Sequence, residues 1–330
     1  MAEAEQAGEP ASEKRDIVVV GGSAGAVDAV TRFAGMLPAE LPAAVFVVIH
    51  VSALYRSRLP EILARHGPLP AQHAVDGETY SAGRIYIAPP NRHLILEDGH
   101  TRLLDGPREN GVRPAIDPLF RSAARFGPRV IGVVLSGTLD DGAVGLLELK
   151  SKGGLAMVQA PEDAAYPEMI RNAMEIAKPQ FVGSLEELAG YIAEAVLGGD
   201  GMLSDVEGGE TPELRDGDKL PVALTCPDCG GPIYAAPGSL KFACKVGHQY
   251  GPESFYEKQR EQVERAMWAA LRSLKEQEDF AAQLAERSDK RGLPTVASRF
   301  RQRQEEAAAH ATKLEELLTR EPGWAEGRTG

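Results

Sequence analysis

Four stretches of the chain, 17–20, 45–49, 129–135 and 155–159, are short unbroken runs of mostly β-branched apolar residues, and two of the segments between them, 27–37 and 143–150, carry a helical period. Strands that alternate apolar with polar residues cover a core on one face only, whereas unbroken apolar strands are buried on both. Such burial requires a layer on each side of the sheet, and the intervening helices supply it. The pattern therefore predicts an α/β domain with a doubly wound, mostly parallel sheet. One interruption falls at 83–104. Residues 84–87, 93–96 and 102–104 read there as strands turned by Pro89-Pro90-Asn91 and Glu97-Asp98-Gly99, so an antiparallel hairpin insertion is expected.

The α/β pattern starts at Asp16, after a polar tail over 1–15, and ends with a helix at 185–197. The acidic, glycine-containing stretch 198–221 reads as a linker, since it has too little apolar content to bury. A cysteine-bearing module follows at 222–251. Over 252–321 two amphipathic segments broken at Gly292-Leu293-Pro294 predict a helical hairpin or coiled-coil pair, followed by a tail at 322–330. One stripe runs through Val263, Met267 and Leu274, the other through Phe300, Leu314 and Leu317. These stripes must bury against each other, a second chain, or the mouth around Ser23, and self-pairing with contacts to a dimer mate or a partner helix is the expectation. The net charge of −12 sits mostly in 1–15 and 200–218, and the helical segments balance 13 bases against 14 acids, so no basic surface for nucleic acid is expected. The longest apolar run, 43–49, falls far short of the roughly 20 residues a membrane span requires, and the first residues hold no apolar secretory core. A cytoplasmic location without membrane insertion is expected.

Chemistry-bearing residues cluster where the predicted strands end. Gly21-Gly22-Ser23-Ala24-Gly25 lies between the first strand and the first helix. In a G-x-S-x-G turn the glycines permit a tight backbone, the serine oxygen stands clear of the strand, and the following N–H groups point at a reacting atom. A glycine-rich phosphate loop is the alternative. The G-x-G-x-x-G spacing is absent, however, and the second strand ends in Ile49-His50 rather than in the acid that would bind a ribose. His50 thus occupies the same carboxyl edge, although packing or capping would also account for a histidine there. Directly after the third run comes Ser136-Gly137-Thr138-Leu139-Asp140-Asp141-Gly142, whose paired acids could cap the helix that follows. Serine, histidine and aspartate from three strand ends are the set that acyl transfer requires: a nucleophile, a base and a carboxylate to hold the base's tautomer.

Together with Tyr86-Ile87-Ala88-Pro89-Pro90 and Arg113-Pro114-Ala115-Ile116-Asp117-Pro118-Leu119-Phe120, these motifs over about 16–197 resemble the chemotaxis-receptor protein-glutamate methylesterases, the CheB-type catalytic domain. The resemblance implies Ser23 as nucleophile, His50 as general base and Asp141 as orienting acid, with Asp140 outside the triad. It implies an oxyanion region at Ala24 and the backbone around Thr138, and no cofactor for catalysis. The implied reaction is hydrolysis of glutamate methyl esters on a methylated receptor cytoplasmic domain or another methylated protein, with glutamine deamidation as the same acyl chemistry. Relatives of this kind usually carry a phosphoacceptor receiver domain ahead of the catalytic domain. Only 15 residues precede the α/β pattern here, so a receiver-less form without control by phosphorylation in cis is expected. Asp117 receives no role in chemistry; a substrate edge and a packing role are equally open. The rival reading is a non-catalytic adaptor that recruits partners through its C-terminal module and helices.

All three cysteines fall in that module, as Cys226-Pro227-Asp228-Cys229 and Cys244-Lys245-Val246-Gly247-His248. Two turns supplying three thiolates and an imidazole suit tetrahedral zinc, with a redox pair or incidental cysteines as the alternative. A ligand set of Cys226, Cys229, Cys244 and His248 leaves no open position, so a structural zinc is expected. A zinc-ribbon-like module of this size lacks the apolar area to fold without its metal, while the α/β domain has its own core. Metal loss is therefore expected to unfold the module and spare catalysis.

Overall fold

A computed structural model describes residues 14–51, 57–197 and 220–320. The tail through 13, the linker positions 198–219 and the C-terminal tail lie outside the described residues. The chain divides into two units, Met1–Phe255 and Tyr256–Gly330.

In the first unit β1 (Ile17–Gly22) leads into α1 (Ala26–Met36), β2 (Ala44–Ile49), α2 (Leu59–His66), β3 (Ala71–His73) and β4 (Arg84–Ile87). An antiparallel pair, β5 (His93–Glu97) and β6 (His100–Leu104), follows. Then come α3 (Ile116–Ala123), β7 (Val130–Val134), α4 (Ala143–Ser151), β8 (Leu155–Gln159), α5 (Glu168–Ala177), β9 (Phe181–Gly183) and α6 (Leu185–Val196). The seven-stranded sheet runs β3-β4-β2-β1-β7-β8-β9 with every neighbouring pair parallel. Val18, Val20, Val45, Val47 and Ile131 face α1, α2 and α6, while Ile17, Val19, Phe46, Val48 and Val130 face α3, α4, α5 and the β5–β6 pair. β1, β2 and β7 are thus covered on both sides, which is why their runs carry no polar alternation.

Residues 84–87, expected in the antiparallel insertion, instead form β4, parallel to both β2 and β3. Ile85 and Ile87 enter one core layer and Tyr86 the other, and burial on both faces overrides the turn signal that follows. The insertion is β5 and β6 alone. From β1 the chain winds outward through β2 to β4 and β3, then returns across the sheet to β7 on the other side of β1. The carboxyl ends of β1, β2 and β7 therefore stand side by side at the topological switch point, where open α/β sheets hold their ligands.

The cysteine-bearing module is a small antiparallel sheet of β10 (Leu220–Thr225), β11 (Pro232–Ala235), β12 (Phe242–Cys244) and β13 (Gln249–Tyr250), its first strand starting two residues inside the expected linker. Its core is Cys226, Ile233, Cys244, Tyr250 and Phe255, with the Phe242 and Phe255 rings stacked 5.1 Å apart.

Helix α7 (Pro252–Lys290) starts in the first unit and continues through the second, where α8 (Pro294–Arg320) returns after Gly292. The two helices pack on each other through Leu271, Met267 and Leu274 against Ala311, Leu314 and Leu318, with Lys275 and Glu315 paired across the seam at 3.2 Å. Val263 and Leu317, placed in the stripes by periodicity, are instead 52% and 58% exposed, so the seam is rotated off the expected line. Among the described residues no helix is long and apolar enough to cross a membrane.

Phe46 is fully buried at the centre of the sheet, stacked on Tyr86 at 5.4 Å and edge-on to Tyr80 at 5.0 Å. Phe46→Ala is expected to lower the unfolding free energy by about 3–5 kcal/mol in urea titrations, because the rings around it cannot collapse into the space. A loss below about 1 kcal/mol would contradict this packing.

Candidate active site

The turn after β1 is shaped by what surrounds it. Gly25 has φ 73, in the left-handed region, and a Cβ there would lie 2.9 Å from Ser136 Oγ and 3.0 Å from the Tyr166 ring. Glycine is required by both conformation and space. The Ser23 N–H donates to the Ser136 carbonyl at 2.9 Å, and Ser136 Oγ donates to the Ala24 carbonyl at 2.8 Å and accepts from the Tyr166 N–H at 3.0 Å. The end of β7 thus braces both sides of Ser23. Neither Ser136 nor Tyr166 stood out as a supporting residue in the sequence, since their partners around Ser23 lie far along the chain.

His50 leaves the end of β2 with its N–H on the Gly22 carbonyl at 3.2 Å. Its Nδ1 lies 3.0 Å from Ser23 Oγ and its Nε2 lies 2.7 Å from Asp141 Oδ2. An ionised carboxylate only accepts, so Nε2 carries the proton and Nδ1 is free to accept one from Ser23. The three residues drawn from three strand ends therefore form one hydrogen-bonded chain. Gly137, next to Thr138, comes so close to Ser23 that a Cβ on it would sit 3.0 Å from the Ser23 Cβ.

The adjacent acids separate cleanly. Asp141 is 1% exposed and accepts four hydrogen bonds: His50 Nε2 and the Ile116 N–H on Oδ2, and Asn110 Nδ2 (2.7 Å) and the Asp117 N–H (3.2 Å) on Oδ1. Burial works to raise its pKa, but the hydrogen bond and charge of His50, with the Ile116 and Asn110 donors, outweigh burial and hold it below the usual carboxylate range. Asp140 points elsewhere, to the N–H groups of Glu253 and Ser254 at 3.0 Å each and to the Ser254 hydroxyl, so it caps α7. Neither acid caps α4, the helix that follows them. That task falls to Asp117, whose Oδ1 accepts from the Gly142 and Gly145 N–H groups at 3.1 and 2.7 Å.

Asn110, passed over in the sequence, bridges the group: Nδ2 donates to Asp141 and to Asp117 Oδ2 (2.9 Å), and Oδ1 accepts the Gly251 N–H at 2.7 Å. The local sign was an Asn-Gly pair at 110–111 with Asn110 at φ 51, a conformation asparagine tolerates better than most residues. His93, another strand-edge histidine, is buried between the Pro107 carbonyl and the Ala115 N–H and serves packing.

In the module Cys229 Sγ and Cys244 Sγ are 3.7 Å apart, and His248 Nδ1 is 3.7 Å from Cys226 Sγ and 3.5 Å from Cys244 Sγ. All four ligand atoms lie within 4.8 Å of one another. A tetrahedral zinc at about 2.3 Å from sulfur and about 2.0–2.1 Å from nitrogen puts neighbouring ligand atoms about 3.5–3.8 Å apart, so the donor set fits such an ion.

Asp117 is fully enclosed, and burial together with the charge of Asp141 pushes its pKa up to about 7 from 3.8. The folded protein then keeps a proton that the unfolded chain releases near pH 4. The stability tied to this proton is full below pH 4 and is lost as pH rises through about 7. Urea titrations across this window are expected to show wild type losing stability relative to Asp117→Asn as pH rises; parallel curves would contradict the assignment.

The CheB methylesterase family profile matches residues 18–192. A protein-glutamate methylesterase/protein-glutamine glutaminase of Anaeromyxobacter dehalogenans is 37% identical over 180 residues, covering 54% of this chain and 53% of that protein. One of the same description from Xanthomonas campestris is 36% identical, covering 52% and 49%. The chain thus spans about half the length of these curated relatives. The crystal structure of the Thermotoga maritima CheB methylesterase catalytic domain superposes with a TM-score of 0.52 at 28% identity, over 54% of this chain and 97% of that one. Sheet order, the motifs at the strand ends and the profile match agree: the chain belongs to the CheB methylesterase family.

Proposed function

We propose that this protein hydrolyses methyl esters on glutamate side chains of a methylated signalling receptor or a similar methylated protein, by acyl transfer through Ser23. The observation that carries this is the continuous hydrogen-bonded chain from Ser23 Oγ through His50 to the buried Asp141 carboxylate. His50 Nδ1 takes the Ser23 proton as Oγ adds to the ester carbonyl. The resulting imidazolium is stabilised by Asp141, which is held ionised and needs no movement to do so. The same proton passes to the departing methoxide, which leaves as methanol. Water then enters, His50 takes one of its protons, and the acyl-enzyme is cleaved to release the glutamate and regenerate Ser23.

The carbonyl oxygen develops charge next to the first turn of α1 and the backbone at Ala24 and Thr138. N–H groups there would receive it, favoured by the positive end of the helix. The same route with ammonia as leaving group converts glutamine to glutamate, and the curated names of the Anaeromyxobacter and Xanthomonas relatives carry both activities. A substrate of this class supports a cytoplasmic location, where receptor signalling domains are exposed. No step calls for a metal. The Cys226, Cys229, Cys244 and His248 cluster is read as a structural zinc ribbon, supported by its ligand spacing and by a core too small to hold the module alone.

Methanol release from a methylated receptor cytoplasmic fragment tests the reading. Ser23→Ala, His50→Ala and Asp141→Asn are each expected to lower kcat by about a thousandfold or more, with double variants no worse than the singles, because the three act as one unit. Wild-type levels of methanol from Ser23→Ala would contradict it. Metal analysis of protein purified without chelator should return one zinc per chain, reduced in Cys226→Ser; its absence from wild type would remove the ribbon.

A further inference from the structure

The module and the first turn of α7 reach the triad through one side chain. The Asn110 N–H donates to the Gln249 carbonyl at 2.7 Å, and Asn110 Oδ1 accepts the Gly251 N–H at 2.7 Å. On its other side Nδ2 is shared between Asp141 and Asp117. This amide can lie only one way. Turned over, its oxygen would face two carboxylates and its NH2 would face an N–H.

Gly251 itself has no freedom, since a Cβ there would lie 2.3 Å from Asp140 Oδ2. Asp140 is fixed in turn by the α7 cap at Glu253 and Ser254. Nearby, Gln249 Nε2 donates to Glu109 Oε1 at 3.4 Å, and Glu109 holds Arg121 of α3 through two hydrogen bonds of 2.8 and 3.0 Å. Two residues, Gln249 and Tyr250, both of β13, separate His248 of the Cys3His cluster from Gly251. A displacement of the cluster therefore reaches Asn110 with little slack.

We propose that Asn110 is a positioning residue for Asp141 and that the Cys226–Cys229–Cys244–His248 module sets its position through Gly251, so that metal occupancy of the module controls the reactivity of Ser23. The profile match ends at 192, so this brace is an addition to the family domain. The proposal rests on the reading of Ser23 as nucleophile, and its test uses a probe that needs no receptor substrate.

Full-length protein loaded with zinc is labelled with a fluorophosphonate, and kinact, KI and the labelled fraction at completion are measured separately. The end point counts folded sites and kinact reports their geometry. Stripping the metal with a chelator, or Gly251→Ala in loaded protein, is expected to lower kinact about ten- to a hundredfold with KI and the end point unchanged, since a misplacement near 1 Å costs on that order. Re-added zinc restores stripped wild type but not Gly251→Ala. The downfield proton resonance of His50 Nε2–H, a reporter of the bond to Asp141, should shift or broaden in the same samples. Unchanged kinact and an unchanged resonance in both would overturn the proposal. If stripping abolishes the end point, Ser254→Ala decides, since it removes one hydroxyl from the Asp140 cap: a reduced kinact supports the brace and a wild-type value overturns it. Loaded wild type that is not labelled at Ser23 would overturn the nucleophile reading and this proposal with it.

Discussion

Three carboxylates, Asp117, Asp140 and Asp141, are buried within one region, and each tolerates burial because it faces the N–H groups at the start of a helix to which it does not belong or at whose edge it lies. Asp141 receives the first N–H groups of α3, Asp117 those of α4, and Asp140 those of α7. A buried carboxylate without such donors would neutralise or open the structure, and Asp117, enclosed beside Asp141, keeps its proton to about pH 7 even with them. Because α3 and the β7–α4 loop each supply the acid for the other's helix, neither can move without exposing orphaned donors on its neighbour. The ionised state of Asp141 follows from this arrangement. So do the tautomer of His50 and the direction in which Ser23 can lose its proton.

The sheet makes this cluster possible. Strands covered on both faces leave only their ends for polar chemistry, and the reversal of winding beside β1 brings three such ends together. His50 retains 17% side-chain exposure against 2% for Asp141, so the imidazole meets solvent while the carboxylate does not. Burial thus grades the hydrogen-bonded chain from the enclosed Asp141 carboxylate to the half-buried His50 and Ser23.

The sequence carried the parts of this that depend on local chemistry. The apolar runs marked the strands that bear the site, the glycines marked the turn at Ser23, and Cys-x2-Cys with Cys-x3-His marked the cluster now seen with its ligand atoms together. Less legible were elements whose identity depends on what packs against them. Residues 84–87 resembled a hairpin strand until burial of Tyr86 and Ile87 on opposite faces fixed them in the main sheet. The hairpin seam runs through Leu271, Ala311 and Leu318, while Val263 and Leu317 stay exposed, because which face of each helix is buried depends on the partner helix. Asp117, Asn110 and Asp140 were hidden for a related reason: their partners lie 7 to 141 residues away, and nothing in the neighbourhood of an aspartate says which helix it will cap.

The central claim is that an acyl group passes through Ser23, and the most direct measurement is mass spectrometry of the intermediate. Wild type mixed with a glutamate-methyl-ester receptor fragment and quenched in acid within the first turnover should carry the fragment, less methanol, on the peptide containing Ser23. The same trap applied to His50→Ala should return unmodified peptide. An adduct on another residue, or methanol released with no adduct in the first turnover and full activity in Ser23→Ala, would contradict the account.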